Sequence, residues 1–144
     1  MPGSQDFAPD PRNEKVLIYL NGSLVSRSEA KVSVFDAGFV LGDGVWEGLR
    51  LHKGAFLFLD AHLDRLYDGA RAIALDIGLS REEMIAALRR TADVNEMQSG
   101  VHIRLMVTRG PKKAPNQDPR NALGQPTIVI VAEHKEPSEE IVTR

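Results

Sequence analysis

The stretch whose reading decides the fold is FDAGFVLGDGVWEGLRLHKG, residues 35–54. Five glycines, two aspartates and one glutamate surround the chain's only tryptophan, Trp46. A packed strand has little use for so many glycines, because each costs backbone entropy and adds no side chain. A solvated loop has no use for Val45, Trp46, Leu49 and Leu51. The conflict divides the stretch in two. Phe35–Asp43 reads as a loop or short turn, with Gly38, Gly42 and Gly44 as punctuation. Val45–His52 reads as a strand, and Lys53-Gly54 turns it into Ala55–Phe58. Along a strand, Trp46 and Glu47 point to opposite faces. One account makes Trp46 core and Glu47 an exposed strand residue. The other makes Trp46 the wall of a ligand pocket, with glycines that let backbone approach a ligand closely.

Outward from this stretch the pattern alternates and then becomes helical. KVLIYLNGSLV places Asn21-Gly22 between apolar runs, a strong hairpin signal, so Val16–Leu20 and Leu24–Ser26 should pair. KVSVF (31–35) reads as a further short strand. Leu63, Leu66, Tyr67, Ala70, Ile73 and Ala74 recur at helical spacing, which gives a helix over about Asp60–Ala74. Gly69 inside it implies close packing, and Gly78 beyond it suits a C-cap. Ser80 and Glu83 form a capping box for a second helix with Met84, Ile85, Leu88 and Ala92 inward. Val101–Arg109 is a strand with Val101, Ile103, Leu105 and Val107 on one side and His102, Arg104, Met106 and Thr108 on the other. GPKKAPNQDPRNALGQP is a long polar loop, and Thr127–Ala132 is a last strand. Hairpins first and helices after them predict an α+β fold: a mostly antiparallel sheet with two helices packed on one face. The reading divides the chain into a flexible N-terminal arm (1–14), one packed domain (15–133) and a charged linker (134–144).

Composition narrows the function classes. The chain has 144 residues, 42% of them hydrophobic and 26% charged, with net charge -2. That suits one domain with a real core. No field of one sign favours nucleic acid. Cysteine is absent, which excludes disulfides, thiolate metal sites and thiol catalysis and fits a cytoplasmic location. No apolar run approaches the roughly 20 residues that span a bilayer. His52, His62, His102 and His134 show no metal-ligand spacing. Arg65, within LDAHLDRLYDGA, is either a solvated helix residue or an anion clamp, since planar guanidinium suits a phosphate. His102 and Arg104 share a strand face. They either face solvent or form a pair suited to a carboxylate.

GDGVWEGLR, then HLDRLYDGA, then VHIRLMVTRG resemble, in order and spacing, the fold-type IV pyridoxal-phosphate enzymes, the class IV aminotransferases. The likeness runs from about Val16 to Val131. It implies an amino-group transfer between an amino acid, of branched-chain or D-amino-acid type, and a 2-oxo acid, in a homodimer or higher oligomer. It implies that Arg65 holds the phosphate of pyridoxal 5'-phosphate. It implies that Trp46, Gly48, His102 and Arg104 line the substrate site, with Gly48 keeping the strand thin beside the substrate. His102 departs from the tyrosine usual in branched-chain enzymes. The loop after VTRG carries Lys112 and Lys113 where D-amino-acid enzymes carry an arginine and a histidine. The family's Schiff-base lysine belongs to a second domain, and no lysine here has its context. The resemblance thus makes this the N-terminal domain of such an enzyme, inactive alone. An aminodeoxychorismate-lyase-like enzyme and a non-catalytic dimerisation or partner-binding module are the alternatives.

Overall fold

The computed structural model describes residues 9–115 and 124–136. Six strands form one antiparallel sheet: β1 (Ile18–Leu20), β2 (Ser23–Val25), β3 (Gly44–His52), β4 (Ala55–Phe56), β5 (Val101–Thr108) and β6 (Thr127–His134). Their order is β2-β1-β6-β5-β3-β4. Of three helices, α1 (Ala37–Leu41) is short, while α2 (Leu59–Ala72) and α3 (Arg81–Val94) lie on one face. Helix α2 packs over β3, and α3 over β6 and β1. This is the expected α+β arrangement. The core fills from alternate strand positions: Leu49 and Leu51 of β3, Val101, Ile103, Leu105 and Val107 of β5, and Ile128, Ile130 and Ala132 of β6. They meet Leu63, Leu66, Met84 and Leu88 of the helices. These two longer helices leave the opposite face; among the described residues the short α1 meets it, where Gly38 lies against the Thr108 side chain at the end of β5.

Local chemistry sets the corners. Asn21-Gly22 and Lys53-Gly54 turn their hairpins with φ of 50, 94, 49 and 79°, the left-handed pairs that match strand twist. The capping box at Ser80 and Glu83 is formed in both directions. A Cβ at Gly69 would meet Val45 Cγ1 at 3.3 Å, so the helical glycine lets α2 sit close on β3.

Four expectations are corrected. Residues 31–35 form no strand; Ser33 folds them back, its Oγ accepting from Phe35 N at 3.0 Å and its carbonyl from Asp36 N at 3.0 Å. Phe35–Asp43 contains a helical turn, α1, because Asp36 caps it through Gly38 N at 2.8 Å and Gly42 ends it at φ 67°. Buried Asp36 also accepts from Thr127 Oγ1 at 2.6 Å. Helix α2 ends before Gly78, with Ala74 at φ 54° and Leu75 N bonded to Ala70 O at 2.8 Å, a Schellman ending without glycine. In the segment read as a flexible arm, Pro11–Lys15 forms a 3-10 turn capped by Asp10. Asn13 anchors that turn through two hydrogen bonds to the backbone of His134, the last residue of β6. Residues 1–8, 116–123 and 137–144 lie outside the described residues, and with them most of the expected linker and half of the long loop.

Candidate functional site

The open face of the sheet gathers four of the five residues singled out from the sequence. Antiparallel register sets Gly48 opposite Arg104, Trp46 opposite Met106 and Arg50 opposite His102. Directly opposed residues project to the same side. Trp46 is 60% exposed and is not core. The Arg104 guanidinium stacks on its indole, 4.6 Å from the ring centroid, a cation–π contact that holds the arginine without using its N–H donors. The His102 ring lies over Gly48, where an added Cβ would meet Nε2 at 3.2 Å and Trp46 Cζ3 at 4.0 Å. Burial, then Lys135, Arg50 and Arg104, hold the His102 imidazole below its usual value, against a smaller pull from Glu133, so it is chiefly neutral at pH 7. Indole, guanidinium and imidazole therefore form one strip that offers an aromatic wall and donors to an anion. The strip lies on the open face of the sheet, with Trp46 and Arg104 on the same side of it. Two recesses lie away from the strip, one beside Tyr67 and Leu79 and one beside Lys15 and Asn95.

Arg65 is not brought onto that face. It stands on α2, on the helical side of β3, and its partner is Glu47. Arg65 Nε donates to Glu47 Oε1 at 2.5 Å and Nη2 donates to Oε2 at 2.6 Å. His62, one turn earlier on α2, places Nδ1 3.0 Å from the same Oε2. The Glu47 side chain is 2% exposed and that of Arg65 is 74% exposed. The Arg65 hydrogen bonds hold the Glu47 carboxyl below its usual range, with His62 adding to them and burial opposing. The same pairing raises the Arg65 guanidinium. Of the two accounts of β3, the one with Trp46 in the core and Glu47 exposed is thus reversed. Its parity gave the signal: Glu47 falls in step with Val45, Leu49 and Leu51, the buried side of the strand.

Two further groups bear on the site. Arg109 clamps the turn before β3 by donating to Asp43 Oδ2 (2.6 Å) and Oδ1 (3.2 Å) and to the carbonyls of Ile73 (2.6 Å) and Ala74 (3.1 Å). Lys112 is 3% exposed, and among the described residues its Nζ makes no hydrogen bond.

The sheet and its helical face are those of a family with a known plan. The sequence profile described as amino-transferase class IV matches residues 44–144; the chain belongs to that family. It is 48% identical over 115 residues to a putative branched-chain-amino-acid aminotransferase of Methanocaldococcus jannaschii, covering 80% of this chain and 39% of that protein. It is 43% identical over 93 residues to a D-alanine aminotransferase of Staphylococcus aureus, covering 65% of this chain and 33% of the relative. Among solved structures, the branched-chain aminotransferase of the thermophilic archaeon Thermoproteus uzoniensis, crystallised with norvaline, superposes with TM-score 0.69 at 28% identity, over 82% of this chain and 40% of that one. This chain spans between a third and about two fifths of each of these proteins. Its sheet matches the N-terminal domain of fold-type IV aminotransferases.

Proposed function

We propose that this chain is the cofactor-phosphate and substrate-lining domain of a pyridoxal-phosphate-dependent aminotransferase acting on an amino acid, of branched-chain or D-amino-acid type, and a 2-oxo acid. The observation that carries the reading is the state of Arg65. A guanidinium has five N–H donors. Glu47 takes two of Arg65's, on one edge, and the other three stand at the surface on a group fixed in place. That donor set fits a phosphate monoester, which guanidinium binds through paired charge-assisted hydrogen bonds. When bound, the cofactor supplies the electron sink that lets an amino group leave one carbon skeleton and join another.

On the open face, Arg104 offers its donors to a substrate carboxylate while Trp46 holds its plane. His102, neutral, adds a hydrogen-bond donor or acceptor over Gly48, and the indole excludes water from one side. The lysines of this chain lack the family's Schiff-base context, so the chain alone is proposed to be inactive and to act as part of a dimer or larger assembly. The cysteine-free composition fits the proposed cytoplasmic location. Among the described residues, no helix is long and apolar enough to cross a membrane.

The test is Arg65→Ala in the holoenzyme that contains this domain. Pyridoxal phosphate affinity should fall by about 1.5–3 kcal/mol, the scale of charged hydrogen bonds, with the fold unchanged by circular dichroism. An unchanged dissociation constant refutes the role of Arg65. For the chain alone, borohydride after pyridoxal phosphate should trap no site-specific adduct. Robust amino transfer by the isolated chain would overturn that half of the reading.

A further inference from the structure

Glu47 is the only charged residue of β3 on the side that carries Leu49 and Leu51. Its cross-strand partner is Leu105, which is fully buried. A carboxylate there is costly to desolvate. A buried ion pair is a weak source of stability, because an apolar residue of similar volume packs as well without the penalty. Stability alone therefore does not explain the residue. Its geometry does offer an explanation. Both oxygens are committed to α2: Oε1 to Arg65 Nε, and Oε2 to Arg65 Nη2 and His62 Nδ1. A carboxylate only accepts, so the proton on His62 is fixed at Nδ1. The fork fixes the plane and the facing edge of a guanidinium whose side chain is otherwise mostly in solvent.

We infer that Glu47 is a positioning residue: it aims the outer edge of Arg65 at the cofactor phosphate, with His62 holding the carboxylate from its other side. The inference rests on the proposed role of Arg65 as the phosphate ligand. Two effects oppose each other. Losing Glu47 frees the arginine side chain, whose ordering entropy is worth about a tenfold change in affinity. It also removes a negative charge from the vicinity of the phosphate. That charge lies behind a guanidinium that is mostly in solvent, where screening keeps the repulsion to about threefold at most. Positioning wins, and phosphate binding should weaken about threefold to tenfold when the carboxylate is lost.

The experiment uses the full chain with pyridoxal phosphate and inorganic phosphate as probes; binding is read in every variant from the phosphorus resonance of the probe, and positioning from the Arg65 Nε–H resonance where the arginine is present. In the wild type this proton should be protected from exchange and should shift on titration. In Glu47→Gln it should lose protection and bind the probes about three to ten times more weakly. Glu47→Asp, whose shorter side chain cannot reach both nitrogens, gives the same result if the glutamine variant does not fold. Arg65→Lys supplies the control: lysine is a point charge with no edge to aim, so adding Glu47→Gln to it should not weaken binding further. Equal or tighter binding in Glu47→Gln, with Arg65→Ala still losing the titration, overturns the positioning role and leaves the phosphate role of Arg65 standing. A wild-type Arg65 signal that neither probe moves overturns both.

Discussion

Replacing Arg109 by methionine should destabilise the domain more than any other single surface change, and the structure sets the size. Arg109 joins three segments. It donates twice to Asp43, just before β3, and once each to the carbonyls of Ile73 and Ala74, where α2 ends. Helix ends leave such carbonyls unsatisfied unless something donates to them, and a cation there also meets the negative end of the helix dipole. Four charge-assisted hydrogen bonds at about 1.5 kcal/mol each would total about 6 kcal/mol in a dry site. Water discounts that total, because the side chains of Arg109 and Asp43 are 16% and 24% exposed and solvent can reach both partners once the arginine is gone. About 2–4 kcal/mol remains. Methionine keeps the aliphatic stem, so the loss reports the guanidinium. Urea unfolding followed by circular dichroism measures it as a lower midpoint at constant slope. A double-mutant cycle with Asp43→Asn should give a coupling of about 1–2 kcal/mol. A loss under about 1 kcal/mol, or strictly additive variants, would refute the reasoning.

Acidification should remove stability through Glu47. Its folded-state carboxyl lies below the ordinary value of 4.5, so its contribution is full above that pH and is lost as pH falls through the lowered value. Wild type and Glu47→Gln compared between about pH 6 and 2.5 should converge on the acid side, and parallel curves would contradict this. Ala74→Gly should stabilise by about 0.5 kcal/mol, because the left-handed strain at φ 54° outweighs the extra entropy glycine gives the unfolded chain; a lower melting temperature would count against it. The chain in isolation should associate, since Val34, Phe39, Trp46 and Phe58 are each at least 60% exposed and large exposed apolar side chains gain by being covered. Light scattering should report a mass above 15.9 kDa, and a clean monomer would remove the premise.

The elements legible in the sequence were those written by short-range chemistry. Asn21-Gly22, the Ser80 capping box and the period-two pattern of Val101–Val107 each act within a few residues, so the sequence shows them directly. The elements misread depend on distant partners. Residues 31–35 have strand composition, but Ser33 turns them away from the sheet. Helix α1 exists because Asp36 caps it, and Asp36 is in turn held by Thr127, 91 residues away. The site divides in the same way. Alternation alone sets Trp46 and Glu47 on opposite faces and His102 and Arg104 on one face; that Trp46 and Arg104 share a face needs the pairing of β3 with β5. Their stacking depends on register between β3 and β5, and the Glu47–Arg65 fork depends on how α2 lies over the sheet, which no local pattern encodes.

The glycines and charges of residues 35–54 become intelligible through the pleat of β3. Trp46 and Glu47 are neighbours in the chain and face opposite ways. One projects to the open strip with Arg104, and the other projects into the helical side to hold His62 and Arg65. A register slip of one residue would exchange them, burying the indole under α2 and exposing the carboxylate. Val45 would then leave Gly69, whose missing side chain now admits Val45 Cγ1. The slip is opposed on every side. Leu49 and Leu51 would leave the core with Val45, and Arg65 would lose the acceptor that fixes its plane. The thin backbone at Gly44 and Gly48 fits the present register, since a Cβ at Gly44 would lie 2.6 Å from Val107 O and one at Gly48 would lie 3.2 Å from His102 Nε2. The same alternation that fills the core therefore fixes which side of β3 carries the aromatic wall and which side carries the acceptor for Arg65.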